Sequence, residues 1–113
     1  MVERPNSILI IEDPLIRKLI AGILTRAGYR ITESDQPEGV EKLRKQPRDF
    51  CLLITNRPQD FLEFAETVPL LYIAAMPDLE LASRFRRCGV LRKPFHPVKM
   101  LELATALAGP VVP

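Results

Sequence analysis

The sequence predicts an α/β domain built on an open, doubly wound, five-stranded parallel sheet with helices on both faces. Short apolar runs alternate with amphipathic helical stretches along the chain, the pattern of repeated strand–helix units. The run Phe50-Cys51-Leu52-Leu53-Ile54 carries no charge, as suits a central parallel strand covered on both sides. At 113 residues the chain has room for one such core.

Each element follows in order. The first strand is Ser7–Ile11. Pro14 opens the first helix, which runs to about Ala27 with Leu15, Ile16, Leu19, Ile20, Ile23 and Leu24 on one apolar face. Gly28 is its stop. The second strand, Arg30–Glu33, alternates in character, and the second helix, about Glu38–Lys45, packs through Val40 and Leu43. Pro47 ends it, and the third strand is Phe50–Thr55. A short third helix spans about Gln59–Glu66, with Asp60 as its N-cap. The fourth strand is Leu70–Ala74, and the fourth helix, about Leu79–Arg87, turns Leu81, Ala82 and Phe85 inward. The fifth strand is Val90–Leu91. The fifth helix, about Pro97–Leu107, buries Val98, Leu101, Ala104 and Leu107, with His96 as a turn or cap residue. There is no internal repeat, so residues 1–113 read as one domain with its core at about 7–107 and a flexible tail at 108–113. Right-handed crossovers and a strand order of 2-1-3-4-5 would bring the ends of strands one, three, four and five to one crevice.

Composition narrows the function classes. A net charge of +2 gives no electrostatic case for nucleic acid. The local basic group Arg84, Arg86, Arg87, Arg92 and Lys93 lacks interleaved aromatics. No run of 18 apolar residues predicts a membrane span, and Met1–Asn6 lacks the apolar core of a signal peptide, so a cytoplasmic location is expected. Cys51, in an apolar run, and Cys88, near a helix end, have no CxxC spacing and are expected to be free thiols. No glycine-rich phosphate loop follows the first strand, and His96 is the only histidine, so no histidine-based catalytic or metal cluster can form.

Two motifs carry chemistry. Glu12 and Asp13 follow the first strand, where a parallel sheet binds its ligands, and form a candidate cation or phosphoryl site. Asp13 also stands where a cap for the first helix would. Lys93-Pro94-Phe95 follows the last strand. An acidic pair after the first strand and Lys-Pro-Phe after the last resemble the receiver domain of bacterial two-component response regulators, over about residues 7–107. The resemblance implies a flavodoxin-like fold. It also implies a crevice in which an acidic pair and an acceptor aspartate hold Mg²⁺, a lysine pairs with the phosphoryl group and a hydroxyl follows it. That is charge neutralisation of a transferring group. On this resemblance Glu12 and Asp13 are the acidic pocket, Lys93 the receiver lysine, and Lys93–Pro94 a cis bond.

The chain departs from the pattern around this site. The acceptor position falls on Asn56 where the apolar run ends, or on Ile54 when Asp49 and Pro58 are the anchors. Neither is a nucleophile for phosphoryl transfer. Ala74 stands where the family has its switch hydroxyl, and Val90 where it has an aromatic. With Glu12 and Asp13 the only carboxylates, and Lys93 free to pair with Asp13, Mg²⁺ binding is expected to be weak or absent, and no other cofactor is expected. The resemblance thus implies a pseudo-receiver acting in phosphorelay signalling as a protein-interaction module, not an enzyme. Its partner would be a sensor kinase, another signalling protein or a second copy, met through the fourth helix, fifth strand and fifth helix. A conventional phosphorylatable response regulator, and a flavodoxin-like ligand- or metal-binding domain without a signalling role, are the alternatives.

Overall fold

The computed structural model describes residues 7–111. Its elements are β1 (Ser7–Ile11), α1 (Pro14–Arg26), β2 (Arg30–Glu33), α2 (Gln36–Lys45), a 3-10 turn (Pro47–Asp49), β3 (Phe50–Thr55), a 3-10 segment (Pro58–Phe64), β4 (Leu70–Ala74), α3 (Leu79–Ser83), β5 (Cys88–Arg92) and α4 (Pro97–Ala108). The strands form one sheet in the order β2-β1-β3-β4-β5, every neighbouring pair parallel, as the sequence predicts. Among the described residues no helix is long and apolar enough to cross a membrane.

The two-residue period of the strands divides the core in two. On one face Ile8, Ile10, Leu52, Ile54, Leu71 and Ile73 meet Ile20 and Leu24 of α1 and Met100 and Ala104 of α4. On the other, Leu9, Ile11, Leu53, Leu70 and Tyr72 meet Leu43 of α2 and the rings of Phe61, Phe64 and Phe85. Gly39 lets α2 approach β1 closely, because a Cβ there would run into the Ile11 side chain. Gly28 has φ +101° and ends α1 with backbone bonds from Gly28 to Thr25 and from Tyr29 to Leu24.

Several elements differ from their sequence expectations. α2 begins two residues earlier, at Gln36, because Asp35 caps it, its Oδ1 accepting from the Glu38 N–H at 3.2 Å. The expected third helix is a 3-10 segment with a break at Phe61. Phe61 and Phe64 both enter the core, and a 3-10 turn stacks positions three apart. Asp60 is inside this segment rather than at its cap, and pairs with Arg57 at 2.9 Å. The expected fourth helix, α3, stops at Ser83. Beyond it Phe85 is buried, the Arg86 N–H donates to Ala65 O and Arg87 O accepts from Leu70, so the chain is already entering β5. β5 is correspondingly longer, and Cys88 lies in the strand rather than near a helix end. Both cysteines are free thiols.

On α1, Ile20, Ala21 and Leu24 are buried, whereas Leu15 is 86% and Leu19 49% exposed. Its apolar stripe is wider than the sheet and α4 can cover. On α4, Met100 and Ala104 point inward, Leu101 and Leu107 are half-buried and Val98 is exposed. His96 is the cap, its Nδ1 accepting from the Val98 N–H at 3.2 Å, and this phase turns Val98 outward. Ala108, expected in the tail, closes α4, and Gly109 O accepts from the Tyr29 hydroxyl at 2.6 Å. Residues 112–113, and the Met1–Asn6 stretch read for a signal peptide, lie outside the described residues.

Candidate functional site

Glu12 is the first residue past β1 and its side chain has no solvent exposure. Lys93 is the first residue past β5, and its N–H donates to Ala74 O at 2.9 Å, the last rung between β4 and β5. The two side chains meet. Lys93 Nζ donates to Glu12 Oε1 at 2.9 Å, and the same oxygen accepts from the Asp13 N–H at 3.3 Å. Glu12 Oε2 is buried and has no partner among the described groups. Burial pushes the Glu12 carboxyl above its ordinary value, and the Lys93 hydrogen bond and charge pull the other way without overcoming it. The sequence expectation that Lys93 pairs with Asp13 is therefore corrected. Asp13 is exposed at the head of α1, in the N-cap position but with no side-chain capping bond. The Lys93–Pro94 bond is cis.

The remaining candidate residues sit around this pair. β1 and β3 pair with Ile10 level with Ile54 and Ile11 level with Thr55. One further step along that register brings Asn56 level with Glu12. Asn56 is half-buried at the strand end, and Ile54 is fully buried in the core beneath α1 and α4. The Thr55 hydroxyl is buried and accepts from the Arg57 N–H at 3.2 Å. Ala74 ends β4, half-buried, and Val90 lies level with Tyr72 on β5. Tyr72 was not singled out by sequence reasoning. Its ring is in the core and its hydroxyl accepts from the Asp78 N–H at 3.1 Å, anchoring the loop into α3. A tyrosine in an otherwise aliphatic strand is the signal that marks it, since a buried hydroxyl needs a partner.

These residues do not fit a Mg²⁺ site of the kind the resemblance implies. Among the described residues no three of His, Cys, Asp or Glu are grouped to hold a metal ion. Mg²⁺ requires oxygen ligands in near-octahedral array. Here one Glu12 oxygen is already held by an ammonium group and Asn56 offers a neutral carboxamide.

No family model matches the chain, and no curated protein does. Solved structures do. One is a putative response regulator from Chloroflexus aurantiacus, 18% identical, covering 93% of this chain and 98% of its own, with TM-score 0.75. Several of the similar structures are response-regulator or receiver-domain proteins. A second, a receiver domain protein from Bacillus halodurans, is 19% identical over 96% of this chain and all of its own, again at 0.75. A third, from Borrelia burgdorferi, is the CheX–CheY–BeF₃–Mg²⁺ complex, 18% identical over 91% of this chain and 89% of its own, at 0.72. The chain has the CheY-like, flavodoxin-like fold of these receivers, with their 2-1-3-4-5 parallel sheet.

Proposed function

We propose that this chain is a receiver-like protein-interaction module of two-component signalling that does not accept a phosphoryl group. The observation that carries the reading is the Glu12–Lys93 pair, which occupies the crevice at the ends of β1 and β5 with Asn56 level beside it. A carboxamide is no nucleophile, and a lysine already held by a buried carboxylate has little to offer an incoming phosphate. Ala74 and Val90 remove the hydroxyl and the aromatic through which such a domain would report phosphorylation. The chain works in the cytoplasm, without catalysis of its own and without a resident cation. It acts through the face formed by α3, β5 and α4, toward a sensor kinase, another signalling protein or a second copy. Similar folds in a hybrid histidine kinase receiver and in CheY bound to CheX support a partner-binding role.

Incubation with acetyl phosphate followed by intact-mass measurement tests this reading. The mass is expected to stay unchanged. Gain of one phosphoryl group, labile to hydroxylamine, would overturn it and restore the conventional response regulator.

A further inference from the structure

We infer that β5 accepts an acidic, extended peptide segment of a partner protein as a sixth strand of the sheet. The inference rests on reading the α3–β5–α4 face as a docking surface, and gives that surface a mode of binding.

The first observation is a row of backbone groups. Arg87 O accepts from Leu70 N, and Lys93 N donates to Ala74 O. In a parallel ladder one strand bonds its neighbour through alternate residues, so Arg87, Gly89, Leu91 and Lys93 face β4. The N–H and C=O groups of Cys88, Val90 and Arg92 consequently face outward, and β5 is the edge of the sheet. Among the described residues they have no backbone partner beyond the sheet. α3 contributes only the five residues Leu79–Ser83 of cover, and Cys88, Gly89 and Val90 are all partly exposed. An exposed edge is a template for another chain.

The second observation is charge. Arg86 and Arg87 lead into this edge, Arg92 closes it, and Arg84 stands between α3 and the strand. All four are exposed. The Arg84 ion pair with Glu80 is 3.9 Å long between groups more than half exposed, which leaves the arginine available. Two copies meeting edge to edge would bring these arginines together, which disfavours self-association. An acidic strand meets complementary charge at both ends of the row. The outward backbone groups favour an extended peptide over nucleic acid, which has no strand to add.

The test uses the full chain and an end-capped heptapeptide of alternating Glu and Val. Its controls are the Lys–Val counterpart and a Glu–Val peptide N-methylated at every residue, which blocks both of its edges. Amide exchange at Cys88, Val90 and Arg92 is expected to slow about tenfold or more at saturation with the acidic peptide, and to stay unchanged with both controls. Val90→Pro removes an outward N–H without breaking a rung to β4, so it is expected to keep the fold and lose the protection. Should that variant unfold, the Arg86→Glu, Arg92→Glu double variant serves in its place. Peptide-induced shifts at the arginine side chains with unchanged exchange at the three amides would overturn strand addition while leaving the docking face intact. No peptide-induced change anywhere on α3, β5 or α4 would overturn both. Protection of the same amides by self-association, without peptide, would overturn the acidic occupant.

Discussion

Removing Lys93 would leave Glu12, whose side chain is fully buried, without its counter-charge. Lys93→Met is therefore expected to lower stability by about 3 kcal/mol, read as a lower urea midpoint with an unchanged slope. Adding Glu12→Gln is expected to recover most of the loss, because the buried charge goes with its partner. An unmoved midpoint in the single variant would show that the pair contributes nothing. Cys88 offers a second test. Burial among apolar side chains pushes its thiol from 9.0 up to about 11. A raised folded-state pKa means the neutral thiol is favoured by folding, so its contribution is complete below 9.0 and fades as pH rises toward 11. Stability should fall across that window, and Cys88→Ala should flatten the fall in a series of urea midpoints. Glu12 and Asn56 were legible because each lies where an apolar strand ends, and Lys93 because Lys-Pro-Phe follows the last strand. The choice of Glu12 over Asp13 was not, since it depends on which side of the pleat the chain presents one residue beyond the strand.

Adjacent residues of α1 separate what periodicity shows from what packing decides. Ile20 is fully buried and Leu19 is 49% exposed. Ile20→Ala is expected to cost about 2–5 kcal/mol, and Leu19→Ala under about 0.5 kcal/mol. Equal losses in thermal or urea denaturation would contradict the assigned face. Gly39 reverses the usual helix rule. Glycine to alanine inside a helix normally gains about 1 kcal/mol, yet here the new methyl would meet the Ile11 side chain in a packed core. Gly39→Ala is expected to destabilise by about 1 kcal/mol or more, and a raised urea midpoint would show that α2 can back away without loss. Strands β1 to β4 were legible to the residue, because buried parallel strands are continuous apolar runs with abrupt polar ends. The segments after β3 and β4 were not. Their few residues carry less than two helical periods, and the burial of Phe61, Phe64 and Phe85 sets their path.

A receiver that switches must have two arrangements of one molecule, and a ligand must favour one of them. On the proposed reading, the connection between the crevice and the α3–β5–α4 face would run from Asn56 and Lys93, through Ala74 at the end of β4, to Val90 on β5. Ala74 has no hydroxyl to follow a phosphoryl group, and Val90 has no ring to turn inward or outward. Tyr72, level with Val90, is held by its bond to the Asp78 N–H. On the proposed reading, with Ala74 and Val90 in these places, charge placed in the crevice has no switch side chain to favour, and an effector without differential affinity shifts no population. Asn56→Asp supplies the missing carboxylate and isolates this argument from the chemistry. Treated with BeF₃⁻ and Mg²⁺, that variant is expected to show amide shifts at residues 11–13, 55–57 and 93, the ends of β1, β3 and β5. Cys88, Val90 and Arg92 should remain where they are in the untreated protein. Adding Ala74→Thr and Val90→Tyr is expected to extend the shifts to β5 and to change affinity for a partner of this face. Movement of the β5 amides in Asn56→Asp alone, accompanied by a tenfold change in partner affinity, about 1.4 kcal/mol, would show that the molecule still switches through a route other than Ala74 and Val90.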